Sequence, residues 1–332
     1  MIRVASQPVN DGYIARLSRF LGPVIMGAFE DDDVTEIYVN PCDGAIRLDT
    51  RSRGRVDTGA RLSTPHAEQF LNAVASDHET TLTPENPRLQ AELPSGTFRG
   101  SRLQGFVAPI TQGPAFNIRK PPSVVYTLDD YVAAGSLSSG YRALLRRAVV
   151  DHLNILVVGG TNSGKTTFCN ALLHEMEVLC SNERFVILED TVELQCAAED
   201  HLALRTPPGW KLAQLVKSTL RTSPNRIIVG EVRDEAALDL LDAWATGHPG
   251  GCATLHASTA AGALLRLDRL AQRANVPSQV HLIAEAVNLI ALLQNTSAGR
   301  RVSDLVRVDG LHPDGRYKLH RLSSEAQQET TL

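Results

Sequence analysis

The order of apolar and polar positions divides the chain into two stretches with different signatures. Over residues 13–29, apolar side chains at Ile14, Leu17, Leu21, Val24, Ile25 and Ala28 recur at helical spacing and predict an amphipathic helix. The acidic run 30–33 (EDDD) follows. Residues 35–40 (TEIYVN) then read as a strand closed by Pro41, with a second short strand at 45–49. Thr64 is the expected cap of a helix whose first position is Pro65. Further strands are expected at 103–107 and 116–118. Lys120-Pro121-Pro122 can continue neither a helix nor a central strand. A smaller α/β domain is therefore expected over 1–120, with a linker over 121–138.

Beyond Tyr141 the pattern changes. Residues 154–159 (NILVVG), 184–189 (RFVILE), 226–230 (RIIVG) and 251–255 (GCATL) are unbroken apolar runs, each trailed by a polar turn and a helical segment. Strands covered on both faces read this way, so the expectation is a mainly parallel sheet wrapped by helices over 139–322. The residues before Tyr13 and a tail over 323–332 are polar and expected to be loosely ordered. In open α/β sheets ligands bind at the carboxyl ends of the strands, which makes the polar residues there the ones to weigh.

After the first of these strands stands Gly159-Gly160-Thr161-Asn162-Ser163-Gly164-Lys165-Thr166-Thr167, which satisfies GxxxxGK[ST]. Backbone N–H groups of such a loop wrap a β-phosphate, aided by the positive end of the following helix. Gly160 through Thr167 are thus candidate contacts to ATP phosphates. Lys165 is suited to the β- and γ-phosphates and the Thr166 hydroxyl to Mg²⁺. Hydrolysis needs carboxylates as well, and two later strands end in them. Glu189-Asp190, with Glu193 one turn on, follows one; Glu231 follows another, with Arg233 and Asp234 after it. A strand-end acid taken singly is more often a solvated cap. Two of them downstream of a phosphate loop favour Mg²⁺ coordination and water activation. Glu189 is assigned to the water and Glu231 to the metal and γ-phosphate, the metal shell also including the pair Glu189 and Asp190; the two glutamate roles are interchangeable at this level. A third segment, Thr246-Gly247-His248-Pro249-Gly250-Gly251, leads into a strand ending Thr254-Leu255-His256-Ala257. There His256 can sense the γ-phosphate.

Composition constrains the partners. The chain has 332 residues, 43% of them hydrophobic and 21% charged, with a net charge of −4. An acidic total with 5% aromatics argues against a surface dedicated to nucleic acid. No apolar run is long enough to span a bilayer and no signal peptide is expected. The five cysteines, Cys42, Cys169, Cys180, Cys196 and Cys252, include no CxxC pair and read as reduced thiols in the cytoplasm.

The phosphate loop, an acidic box (ILEDTVEL), a strand with glutamate at its end (IIVGEVRD) and a histidine box (TGHPGGCATLHAS) occur in one order. That order resembles the secretion ATPase superfamily, which powers type II secretion, type IV pili and type IV secretion. The stretch LLDAWATGHPGGCATLHAS with GALLRLDRL after it, and VTEIYVNP and PAFNIRKPP before it, is most similar to the conjugative-transfer branch. The resemblance spans about residues 20–308. It implies a RecA-like P-loop NTPase domain behind the smaller α/β domain. It also implies a homo-oligomer in the form of a hexameric ring, peripheral at the cytoplasmic face of the inner membrane among inner-membrane components of the machine. It further implies that Arg102 and Arg119 reach the nucleotide or a neighbouring subunit's phosphates, with Arg233 and His248 as further phosphate candidates. Arg221 and Arg226 read rather as salt-bridge residues. Asp234, Ala245 and Asn162 depart from the family pattern, and Asn162 would act on nucleotide affinity. Missing CxxC pairs weigh against a type II or pilus-extension motor but leave a retraction-type pilus motor open. A nucleotide-gated switch with little turnover is the alternative from another class.

Overall fold

The computed structural model describes residues 11–122, 124–207, 209–296 and 299–324. Of the stretches expected to be loosely ordered, before Tyr13 and over 323–332, residues 1–10 and 325–332 lie outside the described residues, while Asp11 and Gly12 belong to the first helix. Two compact units divide the chain, Met1–Ser123 and Val124–Leu332.

In the first unit the periodic segment forms α1 (Asp11–Glu30), which buries Leu17, Leu21, Ile25 and Phe29 but leaves Val24 largely exposed. The helix is broken at Gly22 (φ 75°), directly before Pro23. Pro23 supplies no N–H and disfavours helical geometry in the preceding residue, and glycine takes the left-handed conformation without a Cβ penalty. Next come β1 (Val34–Val39), β2 (Ala45–Thr50), β3 (Gly54–Arg61), α2 (Thr64–Asp77), β4 (Arg88–Glu92), β5 (Arg102–Phe106) and β6 (Ala115–Arg119). The cap of α2 is Ser63, one residue before the expected Thr64; its hydroxyl accepts from the His66 N–H while Thr64 is already helical. The six strands pair antiparallel in the order β3-β2-β1-β6-β5-β4. One face of this sheet, through Ile37, Leu103 and Ile118, packs with α1 and with Phe70, Leu71 and Val74 of α2.

The second unit contains α3 (Leu128–Ala133), α4 (Ser139–Val150), β7 (Ile155–Gly159), α5 (Lys165–Leu179), β8 (Phe185–Glu189), β9 (His201–Arg205), α6 (Leu212–Thr219), β10 (Arg226–Val229), α7 (Ala236–Ala245), β11 (Cys252–His256), α8 (Ala260–Ala271), α9 (Val280–Ala286), β12 (Leu289–Thr296), β13 (Gly299–Leu311) and β14 (Tyr317–Arg321). Helix α3 falls inside the stretch expected as a linker, and Leu128 and Leu137 are buried in this unit's core. The strand order is β14-β13-β12-β7-β11-β10-β8-β9, parallel from β12 to β9, with β13 and β14 added antiparallel.

Alternation along the central strands explains their unbroken apolar runs. Leu156 and Val158 of β7, like Val186 and Leu188 of β8, face α6, α7, α8 and α9. Ile155, Val157, Phe185 and Ile187 face α3, α4 and α5. Each such side chain, fully buried, contributes about 1.5–3 kcal/mol. A helix was expected after every central strand. After β8, however, the chain returns through residues 190–200 without one and adds β9 at the sheet edge. Among the described residues no helix is long and apolar enough to cross a membrane.

Candidate active site

The phosphate loop leaves β7 at Gly159 and enters α5 at Lys165. A Cβ on Gly159 would lie 2.4 Å from Ser163 Oγ and 2.8 Å from the Leu293 carbonyl oxygen, so only glycine lets the loop curl back on its strand. Asn162 sits at φ 57°, a left-handed conformation that asparagine tolerates better than most residues. Gly164 begins α5 with no side-chain cap, leaving the first N–H groups of the helix without a side-chain acceptor. Such a terminus is suited to an anion. Lys165 Nζ donates to the Gly160 carbonyl at 2.8 Å, and Ser163 Oγ donates to the same oxygen at 2.9 Å. Thr166 follows Lys165 on the first turn of α5.

Neighbouring strands bring further groups to this edge. β11 lies beside β7 with His256 opposite Gly159, and His256 Nε2 shares a hydrogen bond with Thr161 Oγ1 at 3.2 Å. β10 comes next, and Glu231 follows its end. Burial alone would raise the Glu231 carboxyl; the Arg233 guanidinium paired with it, backed by Lys165 and His256, holds it below its ordinary value. Glu231 is therefore ionised at neutral pH.

Glu189 ends β8, the next strand, and is 6% exposed. Its Oε1 accepts from the backbone N–H groups of Glu193 and Leu194 at 3.0 and 2.9 Å. Burial nevertheless outweighs these bonds and pushes the carboxyl up to about 7. Gly230 makes the room: a Cβ there would lie 3.0 Å from Glu189 Cγ and Oε1. Asp190 accepts from Thr206 Oγ1 at 2.8 Å, and Arg233 lies in the field of Asp190 and Glu193.

The raised Glu189 has a consequence for stability. The folded protein binds its proton more tightly than the unfolded chain, whose carboxyl titrates near 4.5. The contribution is full below pH 4.5 and is lost as pH rises to about 7, at a total cost of about 3 kcal/mol. Glu189→Gln is expected to remove that slope and to exceed the wild type in stability at pH 8. Thermal melts from pH 4.5 to 8 check it; parallel profiles for the two proteins sink it.

Other residues singled out in the sequence lie away from this edge. His248 lies at the opposite, amino end of the sheet, because β11 runs from Cys252, beside Ile155, across to His256. Its N–H bonds the Ala243 carbonyl, and some four residues of strand, roughly 13 Å, separate it from His256. That position sets His248, a phosphate candidate in the sequence, apart from the edge that holds the phosphate loop. Arg226 is also at the amino end, fully buried, donating to Glu183 and to the Gly250 and Val149 carbonyls. Arg221 is exposed, its guanidinium 3.5 Å from the Lys217 carbonyl. Arg102 and Arg119 belong to the first unit and stand directly opposite each other on β5 and β6, flanked in register by Glu92 and Glu36. Arg119 lies 3.9 Å from Glu36, while Arg102 makes no hydrogen bond or ion pair among the described residues. Like charges facing across a strand pair repel, and here the carboxylates of Glu36 and Glu92, next in register on either side, offset them.

Sequence reading missed a cavity of about 210 Å³ lined by Tyr126, Tyr131, Gly164, Thr167, Leu293 and Arg300. Its walls come from segments far apart in the chain, and no motif marks them. Among the described residues no three His, Cys, Asp or Glu side chains gather as a metal cage. The Thr166 hydroxyl and the Glu231 carboxylate suit Mg²⁺, which takes one or two protein oxygens together with phosphates and waters, whereas Asp190, at the end of β8 three strands from the loop, could act only through water.

A phosphate loop after one parallel strand, with acids and a histidine after its neighbours, defines a P-loop nucleotide-binding domain. The chain belongs to the family described as type II/IV secretion system protein, which matches residues 13–312. It is similar to the probable conjugal transfer protein TrbB of Sinorhizobium fredii (strain NBRC 101917 / NGR234), 42% identical over 306 residues, with 92% of each chain covered. The conjugal transfer protein TrbB of Rhizobium radiobacter is 41% identical over 297 residues, with 90% of each covered. Among solved structures, the pilus retraction motor PilT with bound ADP shares the RecA-like fold at a TM-score of 0.59. That match has 19% identity over 90% of this chain and 82% of that one.

Proposed function

We propose that this protein is the ATP-hydrolysing motor of a conjugative type IV secretion system, working as a hexameric ring at the cytoplasmic face of the inner membrane. The carrying observation is the single sheet edge that gathers the phosphate loop, His256, Glu231 and Glu189 on four adjacent strands. The similarity to conjugal transfer proteins over nine-tenths of the chain supports the system assigned.

In this reading Lys165 exchanges the Gly160 carbonyl for the β- and γ-phosphates, while the loop N–H groups hold the β-phosphate. The cavity beside Gly164 and Thr167 receives the nucleoside. Thr166, with Glu231 and Asp190 through water, would hold Mg²⁺, which neutralises charge on the phosphates. Glu189, with a carboxyl near 7, takes a proton from water as its oxygen bonds to the γ-phosphorus and the bond to the β-phosphate oxygen breaks. ADP and inorganic phosphate result. Glu231 and His256 face the γ-phosphate. Arg102 and Arg119 supply positive charge from the first unit, to the same nucleotide or to a neighbour's, and domain movement around the nucleotide is the mechanical output.

Phosphate release and light scattering on the full chain test the proposal together. Mg²⁺-dependent ATP turnover by an oligomer is the expected result. A strictly monomeric, silent protein overturns it, and tight ATP binding without turnover makes the protein a nucleotide-gated switch instead.

A further inference from the structure

Beside the catalytic edge, a groove of about 520 Å³ starts at His256 and Ser258 and runs along Leu265, Arg266, Arg269 and Arg273. The arginines recur at i, i+3 and i+7, on α8 and the short turn that continues it, and all three are exposed. The side chains of Arg266 and Arg269 form no hydrogen bond or ion pair among the described residues. The one carboxylate of α8 is turned away from them. Asp268 is buried and accepts from Gln272, Ser278 and the Gln279 N–H at 2.7, 3.0 and 2.6 Å. Like charges three and four residues apart on a helix repel, so this face gains from an anion supplied from outside.

The other unit carries a matching surface. Residues 30–33 (EDDD) place four carboxylates at the C-terminus of α1, where the negative end of the helix dipole disfavours them. Lys120 beneath them is committed to the carbonyl oxygens of Ala28 and Asp31 at 2.8 and 2.6 Å. Asp32 pairs with Arg99, and Asp33 accepts from Ser52. Glu30 and Asp31 stay exposed, the latter accepting from the Asp33 N–H.

We propose that the α8 groove receives the 30–33 turn of a second copy of this chain, with Glu30 and Asp31 seated on Arg266 and Arg269. A basic groove on one unit and an acidic turn on the other make a head-to-tail contact, the kind that closes into a ring. The inference rests on the ring reading above and adds its chemistry. The groove opens at His256, which bonds the phosphate loop through Thr161. At its other end Arg273 donates to the Arg233 carbonyl at 3.1 Å, and the Arg233 guanidinium holds Glu231. Seating a neighbour therefore acts on both groups that face the γ-phosphate, and turnover depends on assembly.

The test uses three full-length variants: Arg266→Glu with Arg269→Glu, Glu30→Arg with Asp31→Arg, and all four together. Molar mass with Mg-ATP, phosphate release, binding of a fluorescent ATP analogue and thermal melts are measured on each. Each pair is expected to lose the oligomer and at least tenfold in turnover while binding the analogue and melting as the wild type does. The fourfold swap is expected to recover both assembly and turnover, which a misfolded protein does not do. Pair variants that assemble and turn over normally, or a swap that recovers nothing, overturn the proposal. Intact rings that lose binding to a single-stranded oligonucleotide or to phosphatidylglycerol vesicles also overturn it, and assign the groove to phosphates. A wild type that turns over ATP fully as a monomer defeats this inference alone; one that neither binds nor hydrolyses ATP defeats the functional reading.

Discussion

Lys165→Ala is expected to lower ATP turnover by about 10²–10³-fold or more, since it removes a positioned cation from developing phosphate charge. The fold should be unaffected. Lys165 stands at the rim of the sheet, and one of its hydrogen bonds goes to the Gly160 carbonyl at 2.8 Å, within the loop itself. Ser163 donates to the same oxygen, so the loop retains an internal tie when the ammonium is gone. Melting should therefore shift little, and steady-state phosphate release should separate the loss of chemistry from loss of structure. Turnover within a fewfold of the wild type would remove the phosphate loop from the mechanism.

Glu231→Gln should have the next largest effect, a loss of about 10²–10³-fold in turnover with nucleotide binding retained, since it alters the charge around the transferring phosphoryl group. Glu231 is the strand-end acid held ionised by Arg233, Lys165 and His256, so the substitution takes a full negative charge from the γ-phosphate end of the site. It also leaves Arg233 without that partner, which favours binding of an anionic nucleotide. Equilibrium binding of an ATP analogue and single-turnover hydrolysis resolve the two effects. Unchanged single-turnover rates would transfer the chemistry to Glu189 alone.

The parts of this molecule legible in sequence are those in which one local rule decides. Strands β7, β8, β10 and β11 are buried on both faces, so each is an apolar run, and the GxxxxGK[ST] spacing follows from loop geometry. The outer strands obey no such rule. β9 is half exposed along its length, and β3 carries polar residues throughout, so neither stands out from a loop. The break in α1 was signalled by Gly22-Pro23 but masked by apolar spacing that continues across it. His248 misled for a different reason. It is eight residues from His256, yet a strand carries the chain across the whole sheet between them. Gly230 closes the apolar run 226–230, and its value as empty space for Glu189 appears only when β10 lies beside β8. Arg266 and Arg269 of α8, whose side chains have no partner among the described residues, lie inside a quoted motif, but whether a charge has a partner is a property of three dimensions.

The sheet order has a further consequence. β7, β11, β10 and β8 are consecutive neighbours, and adjacent strands stand about 4.8 Å apart. The edge is thus a ruler, with the loop at zero and His256, Glu231 and Glu189 at graduations of roughly 5, 10 and 14 Å. On the motor reading proposed above, a diphosphate would fill the zero mark, and a third phosphate would reach toward the graduation beside it, at His256. β11 and β10 lead directly into α8 and α7, so on that reading the length of a phosphate chain would be felt first by the helices that follow those two strands.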